Sequence, residues 1–398
     1  MVKREKIYFD GEISRGFASL YTAKTIVMVA SGLLGIFLPI FLYNLFNENF
    51  QYVVLYYGIA HFLYGVFVGL GAIFLNKFGF RKALQISVFL GALFYSIFYF
   101  INEENLVYLI PFSILVLTLY RLFYWVPYHV DFAKFTERKD KPEAVSVMNV
   151  TRNIMGAFVP AIAGWIVSSF SFDVLFVIAV ILYLLSFFPY LTIPRTEESF
   201  NWSYRELWKK FFSKENRKTM IAFMSYGGED LVGIMVWPIF IFGVLKGDYF
   251  QVGLISSLVI MATVILQLGI GKYISSYLRE KKVLKIGSFL VFLGWILKIF
   301  VDTAFQVFIV STYHNLSNIL TKTPFDSLRY ETAADEGHYI DEQTVLYEVA
   351  IQLGKVLMAI LIFLISMFFA IQWTFILAAV AALILNLIRA KHEDVFEK

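Results

Sequence analysis

Twelve apolar runs divide the chain, at roughly 17–46, 50–75, 82–101, 105–128, 143–170, 173–193, 219–245, 248–271, 283–301, 303–326, 344–369 and 371–389. Each is near the ~20 residues that a helix needs to cross a bilayer. Unbroken runs of this kind exclude a β-barrel, whose strands alternate apolar and polar positions. Composition agrees: of 398 residues, 59% are hydrophobic and 16% charged, against about half and about a quarter in a soluble domain. The expected class is an all-α membrane protein with twelve transmembrane helices.

Several functions drop out at once. A net charge of +4 gives no reason to expect nucleic acid as a partner. Without cysteine there are no disulfides, thiolate metal sites or thiol nucleophiles. The chain has no phosphate-binding P-loop, no HExxH pair and no GxSxG elbow. Neither an enzyme nor direct ATP coupling is expected, and no cofactor or metal is implied.

Orientation follows from the basic residues of the short loops. Lys3, Arg4, Lys6 and Arg15 precede the first run, Lys77, Arg81 and Lys82 follow the second, and Lys134, Arg138, Lys139 and Lys141 follow the fourth. Lys272, Arg279, Lys281 and Lys282 follow the eighth, while the opposite loops are nearly free of positive charge. Both termini are therefore expected to be cytoplasmic, with the chain in a bacterial or archaeal plasma membrane.

The longest basic stretch, 194–218, separates a six-run segment, 1–193, from a second, 219–398. Within it Ser203 and Glu206 have capping-box spacing. Phe200, Tyr204, Leu207, Trp208, Phe211 and Phe212 then form an apolar stripe between Arg205, Lys209 and Lys210. This pattern predicts an amphipathic helix on the inner leaflet.

The seventh run contains Glu229 and Asp230 about ten residues inside it. At ~1.5 Å per residue that is ~15 Å deep, where one charge costs roughly 2.5–3.5 kcal/mol on the gentlest scale. Two adjacent carboxylates require a polar space inside the membrane. As neighbours in sequence they point ~100° apart on a helix, one toward a cavity and one toward an adjacent helix. A carboxylate in such a space exchanges its proton with an arriving cation. The blander alternative is an ion pair with Arg121 or Arg152.

The same run has an echo. Pro238-Ile239-Phe240-Ile241 repeats Pro39-Ile40-Phe41-Leu42 at an offset of 199 residues. The turn at Gly271 follows that at Ala72 by 199, and Pro324 follows Pro127 by 197. The chain thus reads as two parallel copies of six helices, an arrangement of many transporters.

On these landmarks the chain resembles the major facilitator superfamily over nearly its full length. Its turn between helices two and three places Ala72, Asn76, Lys77, Gly79, Arg81 and Lys82 on that family's motif, with Asn76 for the motif's Asp and Phe80 for an Arg. Gly156–Gly164 resembles the Gly-rich stretch of the family's antiporters, with Val159 and Ala163 for two glycines. The resemblance implies that spans one, four, seven and ten line a cavity, that two, five, eight and eleven flank it, and that three, six, nine and twelve face lipid.

The polar residues follow that pattern. Span four offers Arg121, Trp125 and Tyr128 on one face, and span ten offers His314, Asn315 and Asn318, with Lys322 beyond. These six, without Lys322, are the expected substrate residues: Arg121 for an anionic group, and the aromatic residues, with Tyr120 and Tyr124, for a flat or cationic one. Glu229 and Asp230 are the expected proton or cation site. The expected flanking and gating set is Lys24, His61, Asn149, Arg152, Asn153, Lys322, Glu348, Gln352 and Lys355. Among them Lys24, Lys322 and Glu348 lie near enough to the inner surface to snorkel. His61 and His314 each lack a second His at metal spacing. Span nine has only Lys298, toward the outer end.

The expectation is a monomeric secondary transporter of a small organic solute, coupled to a proton or cation, with export favoured by the Gly156–Gly164 stretch. An importer, a lipid flippase and a non-transporting receptor or scaffold on the same fold remain alternatives.

Overall fold

The computed structural model describes residues 14–135, 141–195, 200–274, 280–334 and 340–388. The basic tail before Ser14, Arg138, Lys139, Arg279, the turn at Ser275 and Ser276, and the C-terminal tail lie outside these residues. Every regular element among the described residues is helical.

The first apolar run becomes α1 (Arg15–Gly35) and α2 (Phe37–Leu45). α3 (Phe50–Phe78), α4 (Phe80–Phe100), α5 (Leu106–Phe135) and α6 (Lys141–Ser169) follow, then α7 (Phe172–Leu185) with the short α8 (Phe187–Leu191). After the linker helix α9 (Tyr204–Phe211) come α10 (Arg217–Leu231), a π-helical turn (Val232–Val236) and α11 (Trp237–Val244). α12 (Tyr249–Ile274), α13 (Glu280–Lys298), α14 (Ala304–Ala334), α15 (Ile340–Ser366) and α16 (Phe375–Ile384) complete the chain. Among the described residues nine helical stretches are long and apolar enough to cross a membrane. α14 falls outside that number because the polar residues in its middle, His314 to Lys322, lower its hydropathy.

The paired prolines explain where helices break. Proline has no N–H and its ring presses on the carbonyl four residues back. α1 stops at Ile36, three residues before Pro39. Ahead of Pro238 the chain widens instead, with Trp237 N–H bonded to Val232 O, five residues back.

The offset seen in sequence recurs in local structure. α2 ends with Asn47 and Glu48 at φ 53° and 61°; α11 ends with Lys246 and Gly247 at 54° and 79°. Glu48 N–H reaches Tyr43 O at 2.8 Å, and Gly247 N–H reaches Phe242 O at 2.9 Å, both left-handed helix stops. Asn49 then caps α3 and Asp248 caps α12. Helix neighbours recur too: α4 packs on α5 and α7 as α13 packs on α14 and α16, and α3 packs on α5 as α12 packs on α14. The part before α9 meets the part after it mainly along α3–α15 and α6–α12.

Small residues set those contacts, as in membrane proteins generally. A Cβ at Gly253 would run into Pro160 O, and one at Gly65 would lie 2.9 Å from Gln352 Cβ. At the end far from the linker the two parts are joined by Asn44 Nδ2 to Tyr249 Oη at 2.7 Å, and by Gln51 Nε2 to Ser366 O at 3.1 Å.

The linker forms the helix that its capping pattern predicts, with Glu206 N–H bonded to Ser203 Oγ at 3.2 Å. Its stripe divides, however. Phe200, Leu207 and Phe211 are buried, with Leu207 over Gly69 of α3, while Phe212 is 75% exposed. Asn76 holds the approach to α9 by accepting from Phe200 N–H and donating to Phe200 O, each at 2.7 Å. Asn201 N–H donates to Glu342 of α15 at 2.8 Å. The stripe therefore packs in part on α3 and α15.

Candidate functional site

Glu229 and Asp230 end α10 immediately before the π-helical turn. Their ~100° separation sends them to different neighbours. Trp295 Nε1 of α13 donates to Glu229 Oε1 at 3.1 Å, and His314 Nε2 of α14 lies 3.9 Å from the same oxygen. Asp230 Oδ2 pairs with Lys355 Nζ of α15 at 2.8 Å. The acid pair thus meets neither Arg121 nor Arg152, and Lys355 neutralises only one of its members. Among the described residues no Lys or Arg lies within ion-pair distance of Glu229.

Both carboxylates line a cavity of about 270 Å³ with Trp237, Lys298, His314, Asn315, Asn318 and Lys322. All its walls come from α10 through α14. Lys298 was expected at the outer end of a lipid-facing span. It is instead 3% exposed, with Nζ 3.9 Å from the ring centre of Trp295 and 4.3 Å from that of Trp237. Trp295 therefore serves two charges, its N–H facing the carboxylate and its π face the ammonium. Gly294 makes room for this arrangement, since a Cβ there would lie 2.7 Å from His314 Nδ1. The His314 ring stands edge-on to Trp295 at 4.6 Å. Lys322 does not snorkel: it reaches toward the Tyr226 ring at 5.4 Å, in electrostatic range of Glu229 and Asp230.

The span-four residues go elsewhere. Arg121, Trp125 and Tyr128 are not in the cavity's lining, although their spacing suggested one face of one site. Arg121 joins a second cluster between α3, α5 and α15. There His61 Nδ1 donates to Gln352 Oε1 at 2.6 Å, and Gln352 Nε2 donates to Glu348 Oε2 at 3.2 Å. With that tautomer Arg121 Nη1, 3.3 Å from His61 Nδ1, faces a donor and makes no hydrogen bond to it. Tyr64 Oη and His61 Nε2 are buried there with no hydrogen-bond partner among the described residues. Gly65 lets the two helices close, since its Cβ would lie 2.9 Å from Gln352 Cβ.

Trp125 and Tyr128 turn to a third cluster. With Tyr124 they surround Lys24 Nζ at 4.5–4.9 Å, and the ammonium donates to Tyr124 Oη at 2.7 Å. Lys24, expected to snorkel, is 8% exposed. The cation held by these rings is the chain's own lysine. Asn149 and Arg152 are exposed on α6, and Asn153 is partly buried.

The turn motif is structural. Gly79, at φ +86°, ends α3 and opens α4, a conformation that suits glycine. Arg81 donates to Leu191 O, while Ala72 is buried and Lys77 and Lys82 are exposed. Asn76, where the motif has Asp, anchors the linker as described.

Trp237, Trp295 and Lys298 are the cavity residues that sequence reasoning missed. An intramembrane lysine three residues after a tryptophan, on one helical face, was the available signal.

A Major Facilitator Superfamily model matches residues 20–313. Among solved structures, a POT family transporter in complex with 5-aminolevulinic acid superposes with a TM-score of 0.70 at 13% identity, covering 96% of this chain and 97% of that one. A variant of the peptide transporter POT in complex with alafosfalin gives 0.68 at 10% identity, covering 94% and 93%. No curated protein matches the sequence. This chain is a multi-pass integral membrane protein with a secondary-transporter fold. With the family model spanning most of its length, it belongs to the Major Facilitator Superfamily of transport proteins.

Proposed function

We propose that the chain is a proton-coupled secondary transporter of a small zwitterionic organic solute. The observation that carries this reading is the cavity in which Glu229 and Lys298 share Trp295 without forming an ion pair. One carboxylate and one ammonium, each held by an indole and not by the other, leave complementary places for a solute's ammonium and carboxylate. At about 270 Å³ the space lies just below the ~300–1,000 Å³ of drug-sized pockets, which suits a molecule of amino-acid size. The ligands in the two neighbouring structures, 5-aminolevulinic acid and alafosfalin, carry both charges and support the same class.

Glu229 is the coupling group in this reading. Asp230 has a lysine partner at 2.8 Å, whereas Glu229 has only neutral or titratable ones. A proton and the solute's ammonium then compete for one carboxylate. Twelve crossings form two parallel six-helix parts, 1–193 and 219–398, that rock about the α3–α15 and α6–α12 seams, with 194–218 as linker and both termini cytoplasmic. The recurring turns at Asn47 and Lys246 and the recurring helix neighbours support this division. Contacts at the end far from the linker, together with the exposure of Arg152, favour a state open on the linker side. Export rests on the Gly156–Gly164 stretch alone, and Pro160 and Gly164 there have a packing task against Gly253.

A receptor or scaffold gives no account of a cavity whose Glu229 carboxylate and Lys298 ammonium stand apart without an ion pair. The test is a thermal-shift panel on purified protein at two pH values. A ligand at 100 times its Kd adds ~2.7 kcal/mol to folded-state stability. Small zwitterions are expected to raise the melting point more at the higher pH, where fewer protons compete for the site. Stabilisation by none of them, or only by large amphipathic molecules, overturns the assignment.

A further inference from the structure

Lys24 is a charge that packing does not require. It lies in the middle of α1, and among the described residues no carboxylate is within ion-pair distance. Its contact with Tyr128 recurs 199 and 197 residues on as Phe223 against Phe325, ring centres 5.1 Å apart. A phenyl ring fills the corresponding slot there. Burying an ammonium in its place costs several kcal/mol in desolvation, and three cation–π contacts return only part of this.

A second unpaired cation stands beside it. Tyr21 Oη and Thr151 Oγ1 meet at 2.6 Å and pin α1 to α6, three residues before Lys24 and one before Arg152. Arg152 is in electrostatic range of Lys24 and has no hydrogen bond or ion pair among the described residues. Its direction is informative. Val150, Ile154, Phe158 and Ile162 form the exposed apolar stripe of α6. At ~100° per residue Arg152 lies about 200° from Val150, on the opposite side. Yet it is exposed, so this inward side of α6 is not covered by the helices around it.

We propose that Lys24 and Arg152 form an anion-recognition subsite on the inward wall of the part before the linker, taking a carboxylate or phosphate group. The Arg152 fork meets the anion first, because a guanidinium matches two oxygens at once. The aromatic cage of Tyr124, Trp125 and Tyr128 keeps the Lys24 charge in place without an acid when no anion is bound. This subsite is separate from the Glu229 cavity and stands or falls independently of coupling there.

The test needs no transported solute. Purified protein in phosphatidylcholine nanodiscs is treated with phenylglyoxal, which modifies accessible guanidinium groups, and modification of Arg152 is followed by peptide mass spectrometry. Inorganic phosphate and acetate are each expected to slow Arg152 modification about tenfold at saturation, the equivalent of ~1.4 kcal/mol. Lys24→Met should lose most of that protection. Lys24→Phe, which installs the residue found at the corresponding position, should do the same and guards against a Met variant that fails to fold. Protection in phosphatidylglycerol discs without added anion would support the subsite with a lipid headgroup as its source. Equal rates with and without anions in the wild type, or full protection in both folded variants, would overturn the proposal.

Discussion

Lys355→Met removes the cation bonded to Asp230, the only one among the described residues. The pair is short, 2.8 Å, with the lysine side chain 10% and the aspartate side chain 29% exposed. Breaking a buried pair from one side costs roughly 3–5 kcal/mol, because the remaining charge has no partner. Asp230 reaches the cavity and is partly wet, so the low end, ~3 kcal/mol, applies. For a unit the size of the part after the linker, ~2–4 °C per kcal/mol converts this into a melting-point loss of ~6–12 °C. Asp230→Asn leaves Lys355 unpaired in turn and should cost a similar amount. The double variant, Asp230→Asn with Lys355→Met, should recover to within ~1 kcal/mol of wild type, since the desolvation of both charges is relieved together. Thermal unfolding of the four proteins in detergent, run as a double-mutant cycle, measures the coupling. Single variants that match the wild type, or a double variant as unstable as the sum of the singles, would show that the pair does not hold α10 to α15. Asp230 would then return as a candidate coupling group.

Two further outcomes follow from the packing and the cavity. Gly354→Ala puts a methyl group into Met224 O across the α10–α15 contact; overpacking of this kind costs about 1–3 kcal/mol, read as a lower melting point and absent if the helices simply slide. Trp295→Phe removes the hydrogen bond to Glu229 Oε1 and weakens the face under Lys298. Loss of a hydrogen bond to a charged group is worth ~1.5–3 kcal/mol, so binding of a stabilising zwitterion should weaken about tenfold or more. Unchanged affinity would place the solute elsewhere.

Much of the fold was legible in the residues because lipid leaves a chain few choices. Apolar runs of bilayer length had to become helices, and Pro39 and Pro238 marked their breaks. The linker's cap at Ser203 could be read directly, but the burial of Leu207 and Phe211 could not, because an amphipathic stripe does not say whether lipid or protein covers it. The site was legible in part. Glu229 and Asp230 called for a polar space unless protonated, paired or wet; both line a cavity, and Asp230 pairs with Lys355. Which helix took which acid depended on rotations that sequence does not state. Arg121, Trp125 and Tyr128 share a face of α5, yet that face is wide enough to touch α3 on one side and α1 on the other. Trp295 and Lys298 were passed over because the resemblance assigned their helix to lipid, although burial cost alone argued against a lysine there.

In the proposed cycle the proton on Glu229 is exchanged for the solute's ammonium. Flux of 5-aminolevulinic acid in proteoliposomes carrying wild type or Glu229→Gln measures that exchange. Net flux driven by a pH gradient is compared with solute exchange at equal pH. Glu229→Gln should lose gradient-driven flux, while exchange continues at a lower solute affinity because the amide no longer offers the ammonium a charge. Gradient-driven flux that survives unchanged in Glu229→Gln would contradict it.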